Sequence, residues 1–149
     1  MHNQRLQSKS SRNGMEPIRW TEKFSVGVTG MDSQHKKLVA MINRLINEPE
    51  VQTHSETISD LLTGMITYAR EHFRDEEALM FEHKYPFKDH QAREHKTFVK
   101  KAVDLCSAVE IGVDIVPLVM MEYLKDWLVH HILEQDMKYK TFFLERGVH

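Results

Sequence analysis

A single cysteine, four prolines and six glycines are spread over 149 residues. Cys106 has no partner for an internal disulfide, which suits a reducing cytoplasm; it reads as a small buried apolar residue rather than a reactive thiol. No stretch approaches the ~18 uninterrupted apolar residues of a membrane span. No apolar segment follows the basic N-terminus, so it does not read as a secretory signal. A surplus of positive charge is missing too. The formal net charge is −2, and nothing suggests a nucleic-acid partner. Arg5, Lys9 and Arg12 give residues 1–14 a charge of +3 with no acid, which leaves −5 on the remainder (−2 less +3). Strand-like alternation and internal repeats are also absent.

Residues 1–14 are polar and aperiodic. They are expected to form a disordered tail, a cloning remnant or the product of an upstream start, with Met15 as the alternative initiator. Residues 15–149 are expected to form one domain with a full core. The segment 16–31, with Trp20, Gly27 and Gly30, reads as an irregular N-terminal arm.

Four helical patterns follow. Asp32 or Ser33 is suited to cap the first, whose apolar residues Leu38, Met41, Ile42, Leu45 and Ile46 recur at spacings of three and four. Pro49 lies beyond its end. The second runs roughly from Glu56 to His83, and Pro86 is expected to end it. The third begins near Lys88 or Asp89 and runs to about Val109, before Gly112. Asp114 is suited to cap the fourth, with Pro117 in its first turn, and the pattern extends to Phe143. The fold class is therefore all-α: an antiparallel up-down-up-down four-helix bundle with an N-terminal arm.

Chemistry-bearing residues lie on the inward stripes. His72 and Glu76 continue the face of Met65, Ala69 and Met80. A buried imidazole and a buried carboxylate one turn apart are costly unless paired or metal-bound. Gln91 and His95 continue the face of Phe98, Ala102 and Leu105, whereas His90 falls about 140° from His95 and points elsewhere. A bulge in the first turn would exchange Gln91 and His90. His131 follows Leu124 and Leu128; His35 precedes Val39 and Ile42 by one turn. Asp136 lies five residues after His131, about 140° off the stripe, so periodicity does not bring it inward. His83 and His130 are expected to face away. One inward histidine is ordinarily a satisfied core residue. Four, on four helices, point to metal, and imidazole with carboxylate suits iron, zinc or manganese.

These segments resemble those of the hemerythrin family, specifically its bacterial single-domain members. Trp20 with VGVTGMDSQHKKL (26–38), HFRDEEALM (72–80), YPFKDHQAREHKTF (85–98) and WLVHHILEQD (127–136) carry the resemblance, over about residues 18–144. It implies a four-helix bundle around two non-haem iron ions, bridged by an oxo or hydroxo group and by carboxylates, that binds molecular oxygen reversibly. It implies His35, His72, His95 and His131 as iron ligands and Glu76 as a bridge, and it supplies Asp136 as the second bridge. One iron, with the His35 and His72 ligands, keeps an open position for oxygen. The other takes three imidazoles, expected at 91, 95 and 131, but position 91 holds glutamine. Weak coordination by Gln91, a water in its place, or entry of His90 are the alternatives. Leu128, Trp127 and Phe73 are expected to line the oxygen pocket.

The expected function is oxygen storage, delivery or sensing by a non-enzymatic protein. The alternative is a di-iron enzyme that turns over peroxide, oxygen or nitric oxide. Small anions or peroxide are further expected ligands. A ferritin-type store is disfavoured because its Glu-x-x-His pairs occur nowhere in the chain.

Overall fold

The computed structural model describes residues 16–47, 55–111 and 116–149. Four helices form the bundle: α1 (Thr29–Asn47), α2 (Ser55–Glu82), α3 (Lys88–Glu110) and α4 (Val116–His130). α4 runs into a π-helical stretch, His131–Asp136, and then α5 (Met137–Glu145). Each of α1 to α3 packs on the next helix, and α4 closes the ring against α1. No described helix is long and apolar enough to cross a membrane.

The stripes read from the sequence are the buried faces, except that Met41 is only half-buried. Leu38, Ile42, Leu45 and Ile46 of α1 meet Leu62, Met65 and Ala69 of α2, Phe98, Ala102 and Leu105 of α3, and Leu124 and Leu128 of α4 in one core. Burying such a side chain contributes about 1.5–3 kcal/mol. This apolar part of the core holds the bundle, against the cost of the polar groups buried beside it.

Three boundaries differ from expectation. Asp32 and Ser33 do not cap α1, which begins at Thr29. Asp32 instead accepts hydrogen bonds from the Ser25 hydroxyl and the Val26 amide and so ties the arm to the first turn. Pro86 does not end α2. Lys84 takes a left-handed φ of 57°, the Tyr85 amide reaches back to the Met80 carbonyl and the Lys84 amide to that of Phe81. This is the paired bonding that satisfies the last carbonyls of a helix. Nor is the fourth helix uniformly α, because the π stretch interrupts it. The expectations for residues 1–14, Met15, Pro49, Gly112 and Asp114 lie outside the described residues.

The arm is irregular, as expected, but tightly held. Asn43 of α1 clasps Ile18 through both its amide nitrogen and oxygen, and Val26 and Val28 are buried.

Candidate metal centre

His35 lies near the start of α1 and His72 and Glu76 near the end of α2. Gln91 and His95 lie near the start of α3, and His131 and Asp136 near the end of the fourth rod. In an antiparallel bundle those positions fall at one level, and all seven side chains are buried there.

Asp136 is brought in by the π stretch. The Met137 amide bonds to the Ile132 carbonyl, five residues back, so each turn holds one residue more than in an α-helix. Residues five apart then share a face, and the Asp136 Oδ1 lies 3.2 Å from His131 Nε2. The α-helical offset of about 140° does not apply here.

Two donor groups result. His35, His72 and Glu76 form one; Glu76, His95, His131 and Asp136 form the other, each with donor atoms within 4.8 Å of one another. Both carboxylates divide their oxygens between the two sides. Glu76 turns Oε2 to His35 at 3.0 Å and to His72 at 3.4 Å, and Oε1 to His95 at 3.2 Å. Asp136 turns Oδ2 to His35 at 3.2 Å and Oδ1 to His131.

Charge is concentrated here. Burial opposes the charged form of His35, but the hydrogen bonds and charges of Asp136 and Glu76 outweigh it and raise its pKa to about 10. Burial likewise opposes a charged His95, and Glu76 and Glu77 raise it to about 9. Burial would raise the Glu76 carboxyl, yet His72, His35 and His95 hold it well below its ordinary value. Asp136 is also lowered: burial and the Glu76 charge work against ionisation, and His131 and His35 prevail.

A metal fits this donor set. Glu76 Oε1, Asp136 Oδ2, His95 Nε2 and His131 Nε2 are buried and meet only one another and His35, at 3.2 Å and without well-aligned hydrogen bonds. Orphaned polar atoms at that depth cost about 1–3 kcal/mol each unless something compensates them. Cations between the two carboxylates would do so, and the surroundings of the imidazoles prepare them for it. His95 Nδ1–H donates to Glu77 Oε2 at 2.6 Å and His72 Nδ1–H to Gln34 Oε1 at 2.6 Å, which turns Nε2 of each ring to the centre, where a metal would displace any proton it carries. Gln34 in turn donates to Asp75 at 3.1 Å.

Gln91 is buried, and its Nε2 donates to Asp136 Oδ1 at 3.0 Å. His90 is only half-buried and belongs to neither donor group. α3 runs unbroken from Lys88, without the bulge that would exchange the two. His130, exposed, bonds the Asp126 carbonyl of its own helix, and His83 lies 3.6 Å from Glu82. Phe73 stacks on His95 at a ring separation of 3.9 Å, and Trp127 on His131 at 4.3 Å. Leu128 is buried one turn before His131.

Tyr139, Glu77 and Gln34 escaped the sequence reading. The Tyr139 hydroxyl donates to Glu76 Oε2 at 2.6 Å. Its spacing of three residues after Asp136 was the available signal. Nothing in the spacing of Glu77, beside Glu76, marks it as a partner of His95.

The family model of the hemerythrin HHE cation binding domain matches residues 26–143. A bacteriohemerythrin of Stenotrophomonas maltophilia is 28% identical over 120 residues, covering 80% of this chain and 77% of that protein. A hemerythrin-like protein of Naegleria gruberi is 30% identical over 124 residues, covering 83% and 92%. The crystal structure of wild-type hemerythrin superposes with a TM-score of 0.75 at 29% identity, covering 83% of this chain and 95% of that one. The bundle, the two donor groups that share Glu76, and this match over most of the length have one reading: the chain belongs to the hemerythrin family.

Proposed function

We propose that this protein holds two non-haem iron ions and binds molecular oxygen reversibly, in storage, delivery or sensing. His35 and His72 would hold one iron and His95 and His131 the other, with Glu76 and Asp136 shared between them. The observation that carries this reading is the division of both carboxylates between two pairs of histidines. A lone tetrahedral zinc ion would leave donors unused. The family match and the similar bacteriohemerythrins support iron and oxygen over other metals and ligands.

Two ferrous ions held there would supply the two electrons that dioxygen takes up. The residues do the rest. Tyr139 and Gln91 fix the two carboxylates by hydrogen bonds. Gln34 and Glu77 hold His72 and His95 in the tautomer that presents Nε2. Phe73, Leu128 and Trp127 wall the centre with apolar surface, which keeps water out.

Gln91 stands where the family resemblance calls for a third imidazole. Its amide nitrogen is engaged with Asp136 and its oxygen is unpartnered, so we assign it to anchoring the bridge rather than to strong coordination. A second iron held there would draw on two imidazoles, those of His95 and His131. The absence of a third imidazole at position 91 favours a second reading, in which the centre would turn over peroxide, oxygen or nitric oxide and would admit small anions. We place the protein in the cytoplasm, where Cys106 stays reduced.

The test is iron analysis with optical spectra of the reduced protein before and after oxygen. Near two irons per chain and a spectrum that reverts when oxygen is removed are expected. One zinc or no metal after anaerobic iron loading would sink the di-iron reading. Rapid, irreversible oxidation with peroxide consumption would favour the enzyme.

A further inference from the structure

Beside the centre, a groove of about 730 Å³ runs between α2 and α3. That volume lies within the range of small-molecule sites. Its floor is apolar: Phe73 is buried, Val99 is half-buried, and Val103 is exposed. Its rim is cationic. Arg70 and Arg74, one turn apart on α2, face Lys96 and Lys100 of α3 across it.

The acids of the groove are already engaged. Asp104 lies 3.7 Å from Lys100, and Glu77 accepts from His95. Arg70, Arg74 and Lys96 have no ion pair among the described residues, although acids outnumber bases in the chain as a whole. Three unneutralised cations around an apolar floor are complementary to one class of molecule.

We infer that this groove binds an amphipathic organic anion, with its apolar body on Phe73, Val99 and Val103 and its carboxylate among Arg70, Arg74 and Lys96. The cations set the head-group chemistry, since a neutral or cationic head would leave them uncompensated. Arginine offers a carboxylate two parallel N–H donors. The floor sets the body, because burying apolar surface against Phe73 removes it from water. The deep end of the groove reaches His95, on whose ring Phe73 lies almost parallel, at 7°. A bound molecule would therefore rest against the back of a residue in the metal centre.

Decanoate, kept below its self-association concentration, is the probe. It is titrated calorimetrically into the protein as isolated, with decanol as the neutral counterpart. One saturable site per chain for decanoate, and weaker binding of decanol, are expected. Arg74→Glu and Lys96→Glu should each weaken decanoate binding by about tenfold, Arg74→Lys should retain it, and Val103→Glu should block it. These positions are exposed, and unchanged circular dichroism and melting will show that the variants fold. No saturable binding, several weak sites, or binding insensitive to the charge reversals would overturn the inference. The readout does not use iron or oxygen, so its failure is distinct from failure of the di-iron reading.

Discussion

The amide nitrogen of Gln91 lies 3.0 Å from Oδ1 of Asp136, the same oxygen that faces His131 at 3.2 Å. A glutamine in a ring of histidines thus holds a carboxylate in place by donating a hydrogen bond. An amide nitrogen that donates is not at the same time a ligand, and the amide oxygen is a poorer donor to iron than imidazole.

Replacing Gln91 with histidine should add an imidazole to the second iron, since the side chain already faces the centre. Iron loss to a chelator should slow by about tenfold or more, in the range found when the surroundings of a metal ligand change. Stopped-flow absorbance after mixing with oxygen should show a longer-lived oxygenated form. Equal iron retention and equal lifetimes would show that Gln91 does not limit the site.

His90→Ala should leave iron content and spectrum unchanged, because His90 is half-exposed and outside both donor groups. A large loss of iron in this variant would mean that the start of α3 rearranges around metal.

Tyr139→Phe removes the 2.6 Å hydrogen bond to Glu76 without altering the shape of the core. A charge-assisted bond of this kind contributes about 1.5–3 kcal/mol. Urea unfolding of the metal-free variant should show a loss of that order. A loss below about 0.5 kcal/mol would indicate that another donor takes its place.

Glu77→Ala should weaken iron binding at the His95 side, by about tenfold or more, because it removes the acceptor that sets the His95 tautomer. Gln34→Ala should act on the His72 side in the same way. Iron titration with a competing chelator would separate the two. Unaltered affinity in both would mean that core packing alone orients these rings.

Stability should depend on pH with opposite signs in the stripped and loaded protein. Without metal, His35 has its pKa raised from 6.5 to about 10 and His95 to about 9. Their contribution is fully present below pH 6.5 and is lost as pH rises through those values. Glu76 and Asp136 are lowered, so their contribution is present above about pH 4.5 and is lost as pH falls. The stripped protein should therefore be most stable between about pH 4.5 and 6.5 and weaken toward pH 10. Metal binding displaces the imidazole protons, so iron affinity should rise over the same interval. Thermal melts of both forms across pH would check this, and parallel trends would contradict it.

The amino-acid sequence by itself determined the four helices, their inward faces and six of the seven residues that meet at the centre. The reason is geometric. Residues three and four apart share one face of an α-helix, so His35, His72, Glu76, Gln91, His95 and His131 declare their direction through their apolar neighbours. The outward direction of His90 follows from the same period. Asp136 does not, because the backbone that carries it is not α-helical, and only the resemblance to a family pointed to it. The tertiary structure decided what periodicity cannot express. The π stretch turns Asp136 inward, Tyr139 reaches Glu76 across 63 residues, and Glu77 of α2 meets His95 of α3. It also decided which group Gln91 bonds, since the partner of a buried amide is set by what lies opposite it in space. The cationic groove depends in the same way on two helices lying side by side, for each contributes one rim and part of the floor.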